Sequence, residues 1–180
     1  VGTSLAAGRI AATMTAAASP EDLLTLGRLA TGLSPDDLGS SLDRAVALLQ
    51  AATGADDCEI FLREPEGGDL VLTACCGSDP DALMEYARFE TGAGYPGLVA
   101  ATGERLLTRH LDRDVRFLRR RVTESGIVCF VSAPLWGSGE VLGCVNLAWR
   151  DTDAPIERGA ELLSRAAQPI ATAVRAGLLA

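Results

Sequence analysis

Apolar residues recur along this chain with two different periods, and the switches between those periods mark out its elements. Leu38, Leu42, Ala45, Val46 and Leu49 fall on one helix face, and Gly54 closes the run. Cys58 to Glu64 and Leu70 to Cys76 then read as strands joined by the turn Pro65-Glu66-Gly67-Gly68-Asp69. A short helix follows from Ser78 to near Arg88, Phe89 to Thr91 reads as a brief central strand, and Arg105 to Leu111 as another strand. Val115 to Glu124 reads as a helix, and Ile127 to Trp136 with Val141 to Trp149 as a hairpin around Gly137-Ser138-Gly139-Glu140.

The two hairpin strands are apolar on both faces, yet their tight turn demands antiparallel pairing. An antiparallel sheet usually leaves one face wet, so each face here needs a cover. Terminal helices can cover one face, and the segment 78 to 126 is left for the other. The space between that crossover and the sheet is where a ligand would sit.

Two helix starts share one chemistry, Ser19-Pro20-Glu21-Asp22 and Ser34-Pro35-Asp36-Asp37. Each places serine at the N-cap, proline at the first helical position and acids in the first turn. The last helix carries Ile156, Ala160, Leu163, Ala167, Ile170 and Val174, the alternating four-three spacing of a coiled-coil seam, with Pro169 expected to bend it. That seam serves either packing onto the sheet or a homodimer bundle with the helix carrying Leu23, Leu26, Ala30 and Leu33. The dimer assignment uses Leu23, Leu26, Ile156, Leu163, Ile170 and Val174.

Composition narrows the chemistry. A net charge of −8 disfavours binding to nucleic acid or an anionic membrane, because phosphate contacts need a basic stripe. All 16 positive charges are arginine, so Schiff-base chemistry, a P-loop lysine and a lysine general base are excluded. Five cysteines without a convincing export signal point to free thiols in a reducing, cytoplasmic compartment, and no apolar run is long enough to span a membrane. A start at Val1 is consistent with a piece of a longer protein.

Gly92-Ala93-Gly94-Tyr95-Pro96-Gly97 satisfies the dinucleotide fingerprint G-x-G-x-x-G, but its context does not. No buried parallel strand precedes it, Pro96 lacks an N–H for phosphate, and the following helix ends at Gly103. His110 is the single histidine, which excludes a multi-histidine metal site. It stands at a strand end near the expected mouth of the cavity, where contact with a ligand, including axial ligation of haem, competes with a surface role. Cys58, Cys75, Cys76, Cys129 and Cys144 lie in strands among apolar neighbours and read as core residues, with redox sensing or cluster binding as the alternatives. Cys75 and Cys76, being adjacent, should point to opposite faces. Asp151 and Asp153 read as helix capping.

The succession GAGYPGLVAATGERLLTRHL, then DVRFLRRRVTESG, then IVCFVSAPLWGSGEVLGCVNLAWR resembles the second half of a GAF domain. The resemblance spans Leu38 to Leu178, which divides the chain into a helical leader, 1–33, and a GAF-like domain, 34–180. It implies an α+β fold, PAS-like, with a central six-stranded antiparallel sheet, terminal helices on one face and a ligand pocket under the crossover on the other. It further implies a regulatory input to a histidine kinase, cyclic-dinucleotide enzyme, phosphatase or transcription factor, with enzymatic output outside this chain. A chain without lysine lacks the Asn-Lys-Phe-Asp-Glu signature of cyclic-nucleotide-binding members. His110 follows Arg109, where bilin-binding members place a cysteine. The cysteines read as strand residues, unlike the loop set of the methionine-sulfoxide reductases of this fold. A redox sensor or reductase and a ligand-free dimerisation scaffold stand as alternatives.

Under this reading Gly94, Tyr95, His110 and the helix bearing Arg116, Phe117 and Arg120 should converge over Cys129 and Val131. Arg116 is the expected charged anchor, because a guanidinium fork suits carboxylate or phosphate. The expected ligand is small and partly hydrophobic or anionic.

Overall fold

The computed structural model describes residues 18–66 and 68–178. Residues 1–17 of the expected leader therefore lie outside the described residues. The leader's helix, α1 (Pro20–Gly32), starts at a capping box in which Ser19 Oγ accepts from the Asp22 N–H and the Asp22 carboxylate accepts from the Ser19 N–H. Ser34 makes no such cap, although its local sequence is the same. Its backbone is taken up by Ser41 Oγ, and a 3₁₀ turn at Pro35–Asp37 precedes α2 (Leu38–Thr53). Gly54 ends α2 in the left-handed conformation that glycine adopts without strain.

Six strands follow: β1 (Asp57–Arg63), β2 (Leu70–Gly77), β3 (Arg88–Phe89), β4 (Leu106–Thr108), β5 (Cys129–Gly137) and β6 (Glu140–Trp149). They form one sheet in the order β3-β2-β1-β6-β5-β4, every pairing antiparallel. The sheet and fold class are those expected. The brief strand at residue 89 is not central, however; it pairs only with the start of β2 and forms an edge.

On one face α1, α2 and α6 (Ile156–Leu178) enclose the main core, with Leu42, Leu49, Ile60, Val131, Val145 and Leu147 among its members. Ile156, Leu163, Ile170 and Val174 are fully buried in it. The seam therefore packs on the chain's own sheet, and four of the residues assigned to a dimer are not available to a partner. Spacing identifies an apolar helix face but not what covers it. Pro169 sits inside α6 without ending it. Leu26 packs at the margin of the same core, while Leu23 is 59% exposed.

The opposite face is covered by α3 (Pro80–Met84), α4 (Gly94–Thr102) and α5 (Arg120–Glu124). The helix expected over 115–124 forms only from Arg120. Asp114 explains the difference, because its carboxylate accepts from both the backbone and the side chain of Arg116 and holds a local turn. Phe117 and Arg119, two residues apart, then both turn inward, a period that a helix cannot satisfy.

Candidate functional site

Alternation along the central strands sends one set of side chains to the terminal helices and the next set under the crossover. Cys58, Ile60, Cys129, Val131, Val145 and Leu147 belong to the first set. Cys129 and Val131, expected to floor the ligand site, thus lie on its far side. Their neighbours Phe130 and Ser132 take the crossover face instead.

On that face the register places Glu59 of β1 opposite Asn146 of β6, and Asn146 opposite Ser132 of β5. The result is a polar row across the three central strands, with Glu59, Asn146 and Ser132 at most 2% exposed. Arg119 descends from the crossover onto this row. Its guanidinium forms a bidentate ion pair with Glu59, with Nη2 to Oε2 at 2.7 Å, and Nη1 also donates to the Leu83 carbonyl at 3.3 Å. Asn146 Nδ2 donates to the same carboxylate at 3.2 Å. Burial opposes the charge on Arg119, but the Glu59 carboxylate outweighs it and raises the pKa of the guanidinium. Arg119 Nε and Asn146 Oδ1 of this cluster have no partner, and Ser132 Oγ has none beyond the neighbouring Cys144 thiol.

Aromatic rings close the cluster. Tyr95 of α4, Phe117 of the crossover and Phe130 of β5 meet pairwise edge-to-face with centroids 5.3–5.7 Å apart. Arg119 lies over Phe117 and Phe61, 5.5 and 5.7 Å from their centroids. The Tyr95 hydroxyl donates to Asp114, whose carboxylate also pairs with Arg116. The Arg116 side chain, with Tyr95 adding, holds the Asp114 carboxyl well below the usual carboxylate range. Burial, and then Asp114, push the Tyr95 phenol upward.

Of the residues expected at this site, Gly94, Tyr95, Arg116 and Phe117 come together. Gly94 has φ +60°, and a Cβ there would come within 2.6 Å of the Phe89 ring. Gly97 fits against the chain in the same way, since its Cβ would approach the Glu90 carbonyl oxygen to 2.1 Å. These glycines thus serve close packing of the turn before α4. Arg116 lies over Tyr95 but is half-exposed and committed to Asp114, which makes it a brace for the crossover and not the buried anchor. His110 is exposed and is tied through its backbone, its N–H donating to Thr108 Oγ1 and its carbonyl accepting from the Arg113 N–H. Arg120 is exposed and pairs with Glu124. The space assigned to a ligand is occupied by the rings of Tyr95, Phe117 and Phe130 and by Arg119.

Glu59, Arg119, Ser132 and Asn146 were not singled out from the sequence. A signal was nevertheless present: one polar residue interrupts each apolar run, in CEIFLR, CFVSAP and GCVNLAW. The cysteines divide as expected. Cys76 packs toward the helices with Sγ 2.7 Å from Gln50 Oε1, Cys75 packs toward the crossover, and burial lifts the thiol of Cys144 up to about 12.

No curated protein matches the chain significantly by sequence. Solved structures do resemble it. The GAF domain of a phosphoenolpyruvate-protein phosphotransferase from Coxiella burnetii matches with a TM-score of 0.73 and 21% identity, covering 87% of this chain and 95% of that one. Its Acinetobacter counterpart gives 0.70 and 19%, covering 88% and 95%. Free methionine-R-sulfoxide reductase from Neisseria meningitidis, in complex with its substrate, gives 0.71 and 19%, covering 91% and 95%. At such identities these likenesses establish the fold alone. They correct one expectation, however: enzymes are built on this fold, so the fold cannot be used to place enzymatic activity outside the chain. The GAF domain model matches residues 36–175, and the chain accordingly belongs to the GAF domain family, a family of regulatory sensing domains.

Proposed function

We propose that this chain is the small-molecule-sensing domain of a cytoplasmic signal-transduction protein, acting on a histidine kinase, cyclic-dinucleotide enzyme, phosphatase or transcriptional regulator. The observation that supports this most is the buried polar row under the crossover. An ion pair taken out of water contributes little net stability, and an apolar replacement of equal volume often does better. Unpartnered buried polar atoms cost more still. A face built only for stability would carry neither, whereas a recognition site held shut by its own side chains carries both.

In this reading Phe117 and Arg119 occupy the site until a ligand displaces them, and movement of residues 114–119 is the signal. Assembly as a homodimer is retained in the proposal with α1 as the contact, supported by Leu23 and Leu24, which are 59% and 58% exposed.

A second reading, the ligand-free dimerisation scaffold, is favoured by the ring trio that fills the space. Hydrogen exchange with a metabolite library distinguishes the two. A sensing domain shows a thermal shift with at least one compound, together with altered exchange at residues 94–99 and 114–119. A library in which no compound shifts either quantity leaves the scaffold.

A further inference from the structure

The polar row under the crossover carries equal and opposite formal charge. Glu59 supplies one negative and Arg119 one positive charge, Ser132 and Asn146 are neutral, and Asp57, two positions back along β1 on the same face, lies at the end of the row with its carboxylate tied to the Ser78 N–H. A ligand with net charge, buried there, would leave that charge uncompensated in a dry interior. The two protein charges already satisfy each other, so a ligand that separates them must offer a replacement for each.

The unpartnered atoms make the same demand. Arg119 Nε is a donor and needs an acceptor, Asn146 Oδ1 is an acceptor and needs a donor, and the Ser132 hydroxyl, with only the weakly bonding Cys144 thiol beside it, takes either role. All three belong to the row or to its ion pair. Beside Ser132 on β5 stands the ring of Phe130, in contact with Tyr95 of α4 and Phe117 of the crossover, which also touch each other. Phe117 therefore marks an apolar volume next to the charges.

That volume can be vacated without breaking a helix or a strand. Val115 and Leu118 flank Phe117 and are 92% and 44% exposed, and residues 114–119 have no helix or strand hydrogen bonding to lose. Its inner end is held by the contacts that a ligand would replace, the Arg119 ion pair and the Phe117 ring, while the Asp114 contacts to Tyr95 and Arg116 and the turn bond from the Phe117 N–H to the Asp114 carbonyl anchor its outer end.

We infer that the site recognises a small zwitterion with an apolar tail, of the kind presented by a free apolar amino acid. The inference rests on the sensing role proposed above. The ligand carboxylate takes the Arg119 fork and the Ser132 hydroxyl, and its ammonium takes Glu59 and Asn146 Oδ1. Its tail takes the place of Phe117 against Tyr95 and Phe130. Arg119 thus passes from one carboxylate to another without being bared, and the binding event is an exchange of ion pairs. This replaces Arg116 as the anchor and an anion as the ligand.

The test is calorimetric titration of the whole chain with valine, leucine, methionine and phenylalanine, each as the free amino acid, the N-acetyl acid and the amide. The inference requires at least one free amino acid to bind and both capped forms to bind at least about tenfold more weakly, the loss expected for one charged contact. A double variant, Glu59→Gln with Arg119→Gln, avoids leaving a lone buried charge. If circular dichroism shows it folded, it should lose the binding. Equal binding of an N-acetyl acid or an amide overturns the zwitterion and leaves the sensing role intact. Absence of binding by the entire panel also overturns it, and the sensing role falls with it only if the metabolite library fails too.

Discussion

Arg119 and Glu59, 60 positions apart in the chain, meet as a bidentate ion pair whose side chains are 1% and 2% exposed. The pair ties the crossover to the centre of the sheet, across the face opposite the terminal helices. Its energetics are lopsided: the intact pair adds little, but either charge alone is expensive.

Arg119→Leu should therefore destabilise the fold by about 3–5 kcal/mol, because Glu59 is left buried and unpaired. Glu59→Leu combined with Arg119→Leu should recover most of that loss. Urea denaturation of the three variants checks this. If the double variant is as unstable as Arg119→Leu, the pair is not the source of the cost.

Asp57 precedes Glu59 by two positions, on the same face of β1 and only 4% exposed. Burial raises its pKa from the usual carboxylate value to about 6; the Ser78 amide opposes the shift and Glu59 adds to it. Because the folded value lies above the unfolded one, the contribution of this group is complete below the ordinary aspartate pKa and disappears as pH rises through 6. Asp57→Asn should therefore gain stability relative to the parent as pH rises from about 4 to about 8, by on the order of 2 kcal/mol. Parallel stability curves across that range would contradict the assignment.

Tyr95 and Asp114 brace the other end of the crossover. Tyr95→Phe removes one charge-assisted hydrogen bond while keeping the ring contacts, at a cost of about 1–2 kcal/mol. Amide exchange at residues 115–118 should accelerate more than exchange in β5 and β6. Asp114 is held below its usual pKa, so its contribution is present above the ordinary carboxylate range and is lost as pH falls below it. The effect of Tyr95→Phe should accordingly shrink in strong acid.

Ile170→Glu tests where the α6 seam packs. Ile170 is 0% exposed within the chain's own core, and a buried, unpaired carboxylate there should cost about 4 kcal/mol or more. Loss of the cooperative thermal transition is expected. A folded variant that merely sediments more slowly than the parent would return the seam to a dimer interface.

Local rules determined the elements that depend on neighbours in the chain. Ser19 and Asp22 cap α1 because both partners of the box lie within one turn. Gly54 stops α2, and the turn at 137–140 closes the β5–β6 hairpin, for reasons equally local. The six-stranded antiparallel sheet and its need for a cover on both faces were also legible, through continuous apolar runs and the family resemblance, but the order of the strands, with β3 at an edge, was not. Tertiary structure decided what those rules leave open. An apolar stripe on α6 reads the same whether the sheet or a partner covers it, and only the fold shows Ile156, Leu163, Ile170 and Val174 in the intramolecular core. A one-residue change of phase reverses a strand's faces, so Cys129 and Val131 went to the helices while Phe130 and Ser132 took the site. Glu59, Ser132, Asn146 and Arg119 carry no mutual signal in sequence. Their convergence is a product of strand register and of where the crossover lands, and both are set by contacts between residues far apart in the chain.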